Sequence, residues 1–525
     1  WWSMSMPEIL SWTSRWLALL LAACSTISAA APAIQLQDTR LEGLYSADGA
    51  VESFLGVKFA AAPIGELRWR APQAVRYSAP VTAARQFGPA CYQGDHITRW
   101  YQDLIASFGG DPASISPPPV SEDCLYLNIW RPQVRGTAPL PVMVYVHGGS
   151  NRGGWAYEPN YIGENLARQN VLVVSVAYRL GAFGFFSHPD VAESNFALLD
   201  LIAALEWLQQ HIGAAGGDPG NVTLVGESAG ASNIAHLMVS PKAKGLFQRV
   251  IHQSAGWAIS GRVSREQQLA QGLALQRELT GPAGSLDSLR KVPAEQLLAA
   301  ADRVFEDTFF DPVVDGLTLI EPVAASLALG NFPPLDLLIG TNADEWLMYL
   351  EEDASLEAWI RENLPAQRVE PVLAHARQEP DSLRALDRLI TADRFVCPSL
   401  HLAELVAAAG GRSWGYYFAR QREGDRAASM GAYHGAELPY VFATHDDWLP
   451  TSADDEALTQ SMMAYWVNFA RDGNPNGADL PAWPAFTTRN SQVISLDREI
   501  TAIHHPSREL CELLQDTSGA AHGSE

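Results

Sequence analysis

The sequence predicts an α/β fold with a large central sheet, mixed but mostly parallel, and helices on both of its faces. Continuous apolar runs, such as residues 141–146 and 171–178, are typical of strands that are covered on both sides. Stretches with helical periodicity, such as residues 195–212, alternate with these strands, which favours parallel strands joined by helical crossovers. The third observation is a sharp strand-to-helix turn within residues 221–231.

The predicted elements follow one another without a linker that would divide the chain. We expect strands at residues 51–57, 125–130, 141–146, 171–178, 221–225, 250–253, 337–341 and 413–418. We expect helices at residues 195–212 and 454–471, from 229 to about 239, and within 265–306 and 353–410. Residues 92–121, with their three consecutive prolines, are expected to form an irregular loop. A single domain is therefore predicted over residues 31–515, followed by a disordered tail at 516–525.

Composition limits the kinds of partner. The chain has 525 residues, of which 47% are hydrophobic and 18% charged, so a large core can form. Its formal net charge of −23 disfavours a nucleic-acid partner, because phosphate binding needs a basic face. This charge suits neutral or cationic small molecules.

Residues 1–30 are predicted to be an export signal. Residues 16–23 form an apolar run, preceded by Arg15, that is shorter than the roughly 20 residues a membrane span needs. The sequence Leu21-Ala22-Ala23-Cys24 resembles the lipobox of bacterial lipoproteins, and ordinary cleavage near residues 28–30 is the alternative. We therefore expect a periplasmic, outer-membrane lipoprotein or extracellular location, with any membrane attachment through a lipid on Cys24.

The cysteine count supports export. The chain has five cysteines, and four remain once Cys24 is lipidated or removed. Four cysteines allow three pairings, between which the sequence does not choose. In an oxidising compartment we favour the sequential pairing, with four buried free thiols as the alternative. The sequential pairs are Cys91–Cys124 and Cys397–Cys511.

The turn within residues 221–231 has the order that a reactive serine needs. A short apolar strand leads into Gly226-Glu227-Ser228-Ala229-Gly230, and a helix is predicted to start at Ala229. Ser228 is expected at the apex of the turn with its hydroxyl exposed, as in a nucleophile elbow. Glycine is needed at Gly226 and Gly230, because a Cβ there would collide with neighbouring backbone.

A serine hydroxyl is a weak nucleophile until a base takes its proton, and a third group must orient that base. With an elbow of this kind the acid and the histidine follow the serine in that order. Glu345 comes soon after the late strand 337–341, and Asp344 is its close rival. Asp315 is interpreted as a structural turn aspartate.

The base is expected on a loop near the C-terminus. His434 is the candidate there, because small residues around it leave access, although an ordinary surface histidine would fit the position too. His504 and His505 are adjacent, and neighbours on a strand face opposite ways, so we expect them to be incidental. His147 and His252 lie at strand ends, where structural roles are favoured.

Stabilising an oxyanion takes N–H donors that are in place before the reaction. The segment His147-Gly148-Gly149-Ser150 follows a strand and precedes Ser228, where such a loop belongs. The predicted donors are Gly149, Ser150 and Ala229. The sequence has no glycine-rich phosphate loop, dinucleotide fingerprint or HExxH motif, so no cofactor and no metal are predicted.

Taken together, these residues resemble the type-B carboxylesterase family, the cholinesterase-like α/β-hydrolases. The resemblance covers nearly all of residues 35–515. Its most specific motifs are Glu122-Asp123-Cys124-Leu125-Tyr126-Leu127-Asn128 and Gly226-Glu227-Ser228-Ala229-Gly230, which occur in the family's order. The resemblance implies the α/β-hydrolase fold, with Ser228 as nucleophile, Glu345 as acid and His434 as base. It also implies the disulfides Cys91–Cys124 and Cys397–Cys511.

The sequence departs from the family's pattern at three places. The family's third oxyanion-loop glycine is Ser150 here, and Trp346 replaces the glycine that usually follows the acid. Trp100 lies between Cys91 and Cys124, but not where cholinesterases place a choline-binding tryptophan, so choline esters are not implied. By analogy with the family, Phe309 and Phe310 are expected to line the acyl side.

The resemblance implies hydrolysis of an uncharged carboxylic ester of a small molecule through an acyl-enzyme on Ser228. A specialised amide, lactone or polyester hydrolase on the same triad is the alternative. A non-catalytic adhesion protein on the same fold is disfavoured, because all three triad residues are present. The sequence does not indicate the oligomeric state.

Overall fold

The structure is a computed structural model, and it describes residues 30–259, 261–487 and 491–515. The predicted tail and all but the last residue of the predicted signal, Cys24 included, lie outside these ranges. None of the helices within the ranges has the length and apolar character needed to span a membrane.

The described chain contains sixteen strands. They are β1 (Ala33–Gln35), β2 (Arg40–Glu42), β3 (Leu44–Tyr45), β4 (Val51–Lys58), β5 (Val81–Ala83), β6 (Ala90–Cys91), β7 (Val120–Ser121), β8 (Tyr126–Pro132), β9 (Leu140–Val146), β10 (Leu172–Val176), β11 (Gly217–Glu227), β12 (Arg249–Gln253), β13 (Asp336–Asn342), β14 (Arg412–Phe418), β15 (Gln492–Leu496) and β16 (Thr501–His504).

Eleven of these strands form one mixed sheet, in the order β16-β15-β14-β13-β12-β11-β9-β10-β8-β4-β3. The strands from β15 to β10 in this order run parallel. Antiparallel strands lie at both margins. The predicted large sheet, mixed but mostly parallel, is therefore confirmed. The other described strands form two small sheets.

Helices connect the strands and cover the sheet. They are α1 (His96–Ser107), α2 (Glu164–Ala167), α3 (Gly181–Gly184), α4 (Phe196–His211), α5 (Ala229–Val239), α6 (Arg265–Thr280), α7 (Leu286–Arg290), α8 (Ala294–Val304), α9 (Val323–Ala328), α10 (Leu356–Asn363), α11 (Ala366–Ala376), α12 (Ser382–Thr391), α13 (Cys397–Ala408), α14 (Asp425–Met430), α15 (Leu438–Phe442), α16 (Ala453–Asp472) and α17 (Arg508–Leu514). The helical segments predicted from periodicity are confirmed, and each end of α4 and α16 differs from the prediction by one residue.

The central strands are buried on both faces. In β9, Val142, Val144 and Val146 belong to one apolar cluster, together with residues of α4, α5 and α13. Met143 and Tyr145, which alternate with them, belong to a second cluster that includes residues of α15 and α16. Successive side chains of a strand point to opposite faces, so a strand covered on both faces is apolar throughout.

The expectation of an irregular loop over residues 92–121 is wrong for its first half. Helix α1 occupies this segment, and its buried residues Thr98, Tyr101, Leu104 and Ile105 recur at helical spacing. The prolines that suggested a loop come only after the helix has ended.

Both disulfides that the resemblance implied are present, Cys91–Cys124 and Cys397–Cys511. The first closes the segment that contains α1. The second joins the start of α13 to α17, across 114 residues of sequence.

We expect the double variant Cys397→Ser, Cys511→Ser to unfold at a lower temperature than the wild type. Closing a loop of this length lowers the entropy of the unfolded chain, which is worth about 4–5 kcal/mol in the chain-entropy account. Thermal melting followed by circular dichroism, without reductant, measures the change. An unchanged midpoint would show that this crosslink contributes nothing to stability.

Candidate active site

The candidate residues emerge from one edge of the sheet. Strand β9 ends at Val146, β11 at Glu227 and β13 at Asn342, and all three strands are parallel. The order in which successive strands are added to the sheet reverses at β9. The next strand in the sequence, β10, lies on one side of β9, and β11 lies on the other side. The carboxyl ends of parallel strands at such a reversal are where open α/β sheets bind ligands.

Ser228 stands at a strained turn between β11 and α5. Its backbone has φ 54° and ψ −130°, a conformation that non-glycine residues rarely adopt. A Cβ added to Gly230 would lie 2.0 Å from the carbonyl oxygen of Val146, and one added to Gly226 would lie 2.8 Å from the backbone nitrogen of Ala231. The requirement for both glycines is therefore confirmed, and the turn exists because two backbones approach closely there.

His434 and Glu345 form a hydrogen bond. Nδ1 of His434 lies 2.7 Å from Oε2 of Glu345, and the carboxylate is fully buried. The other carboxylate oxygen accepts a hydrogen bond of 2.7 Å from the backbone N–H of Asn342, at the end of β13. Trp346, which departs from the family's glycine, lines the neighbouring cavity and does not displace the acid.

Asp344, the rival acid, binds elsewhere. Its Oδ2 accepts a hydrogen bond of 2.8 Å from the backbone N–H of Ala432, two residues before His434. Its other oxygen lies 3.5 Å from Nη1 of Arg384. Asp344 therefore holds the loop that carries the histidine, whereas Glu345 contacts the imidazole itself.

Glu227 is a neighbour of His434 that the sequence analysis did not assign. Its Oε1 lies 3.2 Å from Nε2 of His434, so the imidazole stands between two carboxylates. Ser228 Oγ takes part in no hydrogen bond with the residues that the structure describes. The signal in the sequence was the position of Glu227 directly before the serine, on the strand that ends at the site.

Burial and neighbouring charges shift the pKa values of His434 and Glu227 in opposite directions. Burial opposes protonation of His434, but the carboxylates of Glu227 and Glu345 outweigh it and raise its pKa to about 9. Burial raises the pKa of Glu227 to about 8, although the nearby imidazole opposes the shift. The site therefore favours a protonated imidazole more strongly than water does.

A third buried carboxylate, Glu437, is hydrogen-bonded to residues at the ends of two strands of the sheet. Its Oε1 accepts a hydrogen bond of 2.8 Å from Nε2 of Gln253, and its Oε2 accepts one of 2.6 Å from Nδ2 of Asn342. Burial raises the pKa of Glu437, with the charge of Glu345 acting in the same direction. These hydrogen bonds tie the loop after His434 to the ends of β12 and β13.

The predicted oxyanion loop follows β9 and lies against the serine. A Cβ added to Gly148 would lie 3.0 Å from Cβ of Ser228. Gly149 and Ser150 line the same cavity as Ser228, and Ala229 begins α5, so its N–H precedes the helical hydrogen bonds. Gly149 and Ser150 thus share the cavity with the serine, and Ala229 follows it directly in the chain.

Asn151, which the sequence analysis did not single out, holds this loop. Its Nδ2 donates a hydrogen bond of 2.7 Å to the carbonyl of Phe310. Its Oδ1 accepts one of 2.9 Å from Nδ2 of Asn233, on α5. Its backbone carbonyl accepts one of 2.7 Å from the N–H of Gly181. Fully buried, Asn151 joins the oxyanion loop to the helix that starts after Ser228.

Ser228 and His434 line one cavity of about 680 Å³. Part of its lining, which we call the tyrosine wall, consists of Tyr101, Tyr145, Glu158, Asn160, Tyr161 and Glu227. Another part, which we call the tryptophan wall, consists of Trp257, Arg262, Phe309, Trp346, Arg394 and Phe395.

The two walls differ in chemistry. In the tyrosine wall, Oε2 of Glu158 accepts a hydrogen bond of 2.9 Å from the hydroxyl of Tyr101, and burial raises the pKa of Glu158 to about 7. In the tryptophan wall, the rings of Trp257 and Phe395 lie 5.2 Å apart, and Phe395 also contacts the imidazole of His434 at 5.5 Å. An ester bound at Ser228 would thus meet carboxylates on one wall and aromatic rings with guanidinium groups on the other.

Other candidates from the sequence fall outside the chemistry. His147 and His252 are buried, do not line the cavity, and have pKa values lowered by burial to about 4 and about 3. Asp315 accepts hydrogen bonds from three successive backbone N–H groups, which confirms its interpretation as a turn residue. Phe309 lines the cavity, whereas Phe310 is buried behind the oxyanion loop. Trp100, on α1, lines the cavity too.

Known proteins match this chain along almost all of its described length. A model described as the Carboxylesterase family matches residues 30–514. The para-nitrobenzyl esterase of Bacillus subtilis (strain 168) is 34% identical over 500 residues, covering 90% of this chain and 96% of that protein. The fumonisin B1 esterase of Sphingopyxis macrogoltabida is 33% identical over 490 residues, covering 86% of this chain and 84% of that protein.

Solved structures of esterases superpose on this chain over most of its length. A PNB esterase superposes with a TM-score of 0.78 at 32% identity, covering 92% of this chain and 99% of that one. A structure named thermophylic PNB esterase superposes with a TM-score of 0.79 at the same identity and the same coverage.

Proposed function

Because the chain belongs to the carboxylesterase family, we propose that its esterase activity runs through Ser228, His434 and Glu345. The protein is a serine-type carboxylesterase that hydrolyses ester substrates. The observation that carries the assignment of residues is the 2.7 Å contact between His434 and the buried Glu345, at a cavity that Ser228 also lines. These are the parts that a serine nucleophile needs, a base and a group that orients the base.

The proposed reaction has two halves. Ser228 Oγ attacks the ester carbonyl while Nε2 of His434 takes its proton, and the imidazolium that forms is stabilised by Glu345. His434 then protonates the leaving alcohol, which leaves an acyl-enzyme on Ser228. Water, activated by the same imidazole, attacks the acyl-enzyme and releases the acid. Nε2 must turn from Glu227 toward Ser228 for the first step, because the serine makes no hydrogen bond to it within the described chain.

The oxyanion is held by backbone amides in this proposal. The N–H groups of Gly149, Ser150 and Ala229 would donate to the carbonyl oxygen as negative charge develops on it; the positions of Gly149 and Ser150 in the lining of the cavity support this assignment. Donors that are fixed in advance cost no reorganisation during the reaction, so each contributes strongly. Replacement of the family's glycine by Ser150 keeps the backbone N–H.

Export is proposed alongside the reaction. Two disulfides within one chain support an oxidising compartment, because thiols are kept reduced in the cytosol. Lipidation of Cys24 stays a prediction.

We expect Ser228→Ala to lower kcat by at least about 10⁴-fold without unfolding the protein, because the nucleophile is lost. Glu345→Gln should lower kcat by a comparable factor, since a neutral amide no longer stabilises the imidazolium. Asp344→Asn is the matched control and should have a much smaller effect. Steady-state hydrolysis of para-nitrophenyl butyrate measures all three, and a larger loss in Asp344→Asn than in Glu345→Gln would reverse the choice of acid.

We expect Glu227→Gln to move the acidic limb of the kcat/KM profile to lower pH, by about one unit or more. The negative charge of Glu227 stabilises the imidazolium, so removing it lowers the pKa of His434 and keeps the base neutral in more acidic solution. Glu352→Gln, at an exposed position outside the cavity, is the control with the same change in net charge. A profile of Glu227→Gln that coincides with that of the control would contradict the coupling.

We expect Asn151→Gly to lower kcat about 10- to 100-fold, with a smaller change in KM, because the oxyanion loop loses its anchor. Glycine tolerates the φ of 56° at this position, so the variant removes the side-chain hydrogen bonds without adding backbone strain. Asn233→Ala, which removes one of those bonds, should lower kcat less. A folded Asn151→Gly variant with unchanged kcat would exclude this role.

A further inference from the structure

Arg394 is an unpaired guanidinium at the wall of the active-site cavity. It is half-buried and lines the cavity, yet it makes no hydrogen bond and no ion pair with any residue in the described ranges. Its guanidinium lies over the rings of Trp346, at 5.4 Å, and Trp359, at 6.0 Å. Stacking on aromatic faces orients an arginine and leaves the N–H groups at its edge free to bind.

The backbone explains why this side chain reaches the cavity. Arg394 lies in a π-helical turn, Ala392–Val396, between α12 and α13. Its neighbour Phe395 contacts the imidazole of His434 at 5.5 Å and the ring of Trp257 at 5.2 Å. Such turns are frequent at functional sites, because the extra residue shifts the direction of the side chains that follow. The turn is thus packed directly against the catalytic histidine.

The distribution of carboxylates in the cavity indicates where an anionic part of an ester would lie. Glu158 and Glu227 line the cavity in the tyrosine wall and disfavour a further negative charge there. A negatively charged acyl chain would therefore extend along the tryptophan wall, with the alcohol along the tyrosine wall. Arg394 belongs to the tryptophan wall.

The charges around Arg394 leave room for an anion. The other arginine of this wall, Arg262, is already paired with Asp311 through contacts of 2.6 and 2.9 Å. Asp393 lines the cavity beside Arg394, but no contact within 4.0 Å joins the two as an ion pair in the described structure. Burial raises the pKa of Asp393, although the charges of Arg394 and Arg368 oppose the shift, and the raised pKa reduces the negative charge that an incoming anion would face.

We propose that Arg394 binds an anionic group on the acyl part of the substrate, and that a carboxylate is the group it fits. A guanidinium offers a planar pair of N–H donors that matches the two oxygens of a carboxylate. The substrate class is then the half-esters of dicarboxylic acids, in which the free carboxylate lies at the far end of the acyl chain. This inference rests on the proposed function, and it replaces the uncharged acyl group expected from the sequence with a charged one.

The experiment compares esters that differ only at the far end. Para-nitrophenyl adipate and suberate half-esters, which end in a carboxylate, are set against para-nitrophenyl hexanoate and octanoate. The measured quantity is the ratio of kcat/KM for the charged ester to that for the neutral ester of equal length. We expect Arg394→Gln to lower this ratio at least tenfold, mostly through KM, and Arg394→Lys to retain part of it, because lysine keeps the positive charge but lacks the planar pair of N–H donors.

Arg377→Gln is the control, since it removes the same charge from an exposed position that does not line the cavity. It should leave the ratio as in the wild type. A ratio that is equal in Arg394→Gln and wild type overturns the inference, while activity on the neutral esters leaves the proposed function standing. If the wild type hydrolysed none of these esters, the proposed function would be refuted instead.

A second measurement uses the wild type alone and does not depend on how the variants fold. Free adipate should inhibit hydrolysis of para-nitrophenyl hexanoate with a lower inhibition constant than adipamide, its uncharged diamide of equal length, and added salt should weaken that difference. Equal inhibition by the two compounds overturns the inference as well.

Discussion

The hydrogen bond between His434 and Glu345 is the contact on which the site depends. It joins two loops that are 89 residues apart in sequence, and each loop is anchored to the sheet by a separate set of hydrogen bonds. Glu345 is fixed by the N–H of Asn342, and the N–H of Trp346 donates to the buried carboxylate of Asp387. On the other side, Asp344 holds the backbone just before the histidine. The imidazole is thus oriented by backbone that the sheet itself positions.

Placing several buried carboxylates around one imidazole costs free energy, because each carboxylate loses hydration. This cost explains the shifted pKa values in the site. Glu227, Glu345 and Glu437 are all nearly or fully buried, and a carboxylate without a partner loses its hydration in such a place. Burial raises the pKa of Glu227 and of Glu437, so the unfavourable charge is partly relieved by protonation. The same carboxylates raise the pKa of His434. The arrangement therefore stabilises the imidazolium that forms when a serine gives up its proton, at the expense of the resting base.

Much of the fold and of the site could be predicted from the sequence, and what was missed has two physical causes. The strands and the elbow are local signals, since apolar runs and the spacing of glycine around Ser228 follow from backbone geometry. The pairing of Glu345 with His434 needed the order of the three groups along the chain. Helix α1 was missed because prolines that follow it outweighed its own periodicity. The contacts of Glu227, Asn151 and Arg394 bring together residues distant in sequence, so only the folded chain reveals them.

The oxyanion loop shows how strain and specificity are joined in this fold. Ser150 and Asn151 both have φ near 55°, a conformation that costs non-glycine residues about 1–3 kcal/mol each. That cost is offset where Asn151 is held, because its side chain is bonded to α5 on one side and to the backbone of Phe310 on the other. Phe310 follows Phe309, which lines the tryptophan wall, and Arg152, next to Asn151, donates to the carbonyl of Thr308 at 2.8 Å. The loop proposed to stabilise the oxyanion and the segment proposed to line the acyl side are therefore one connected structure. An acyl group that displaces residues 308–310 would also displace the amides on which the reaction depends, so the enzyme can discriminate between acyl groups through kcat as well as through binding.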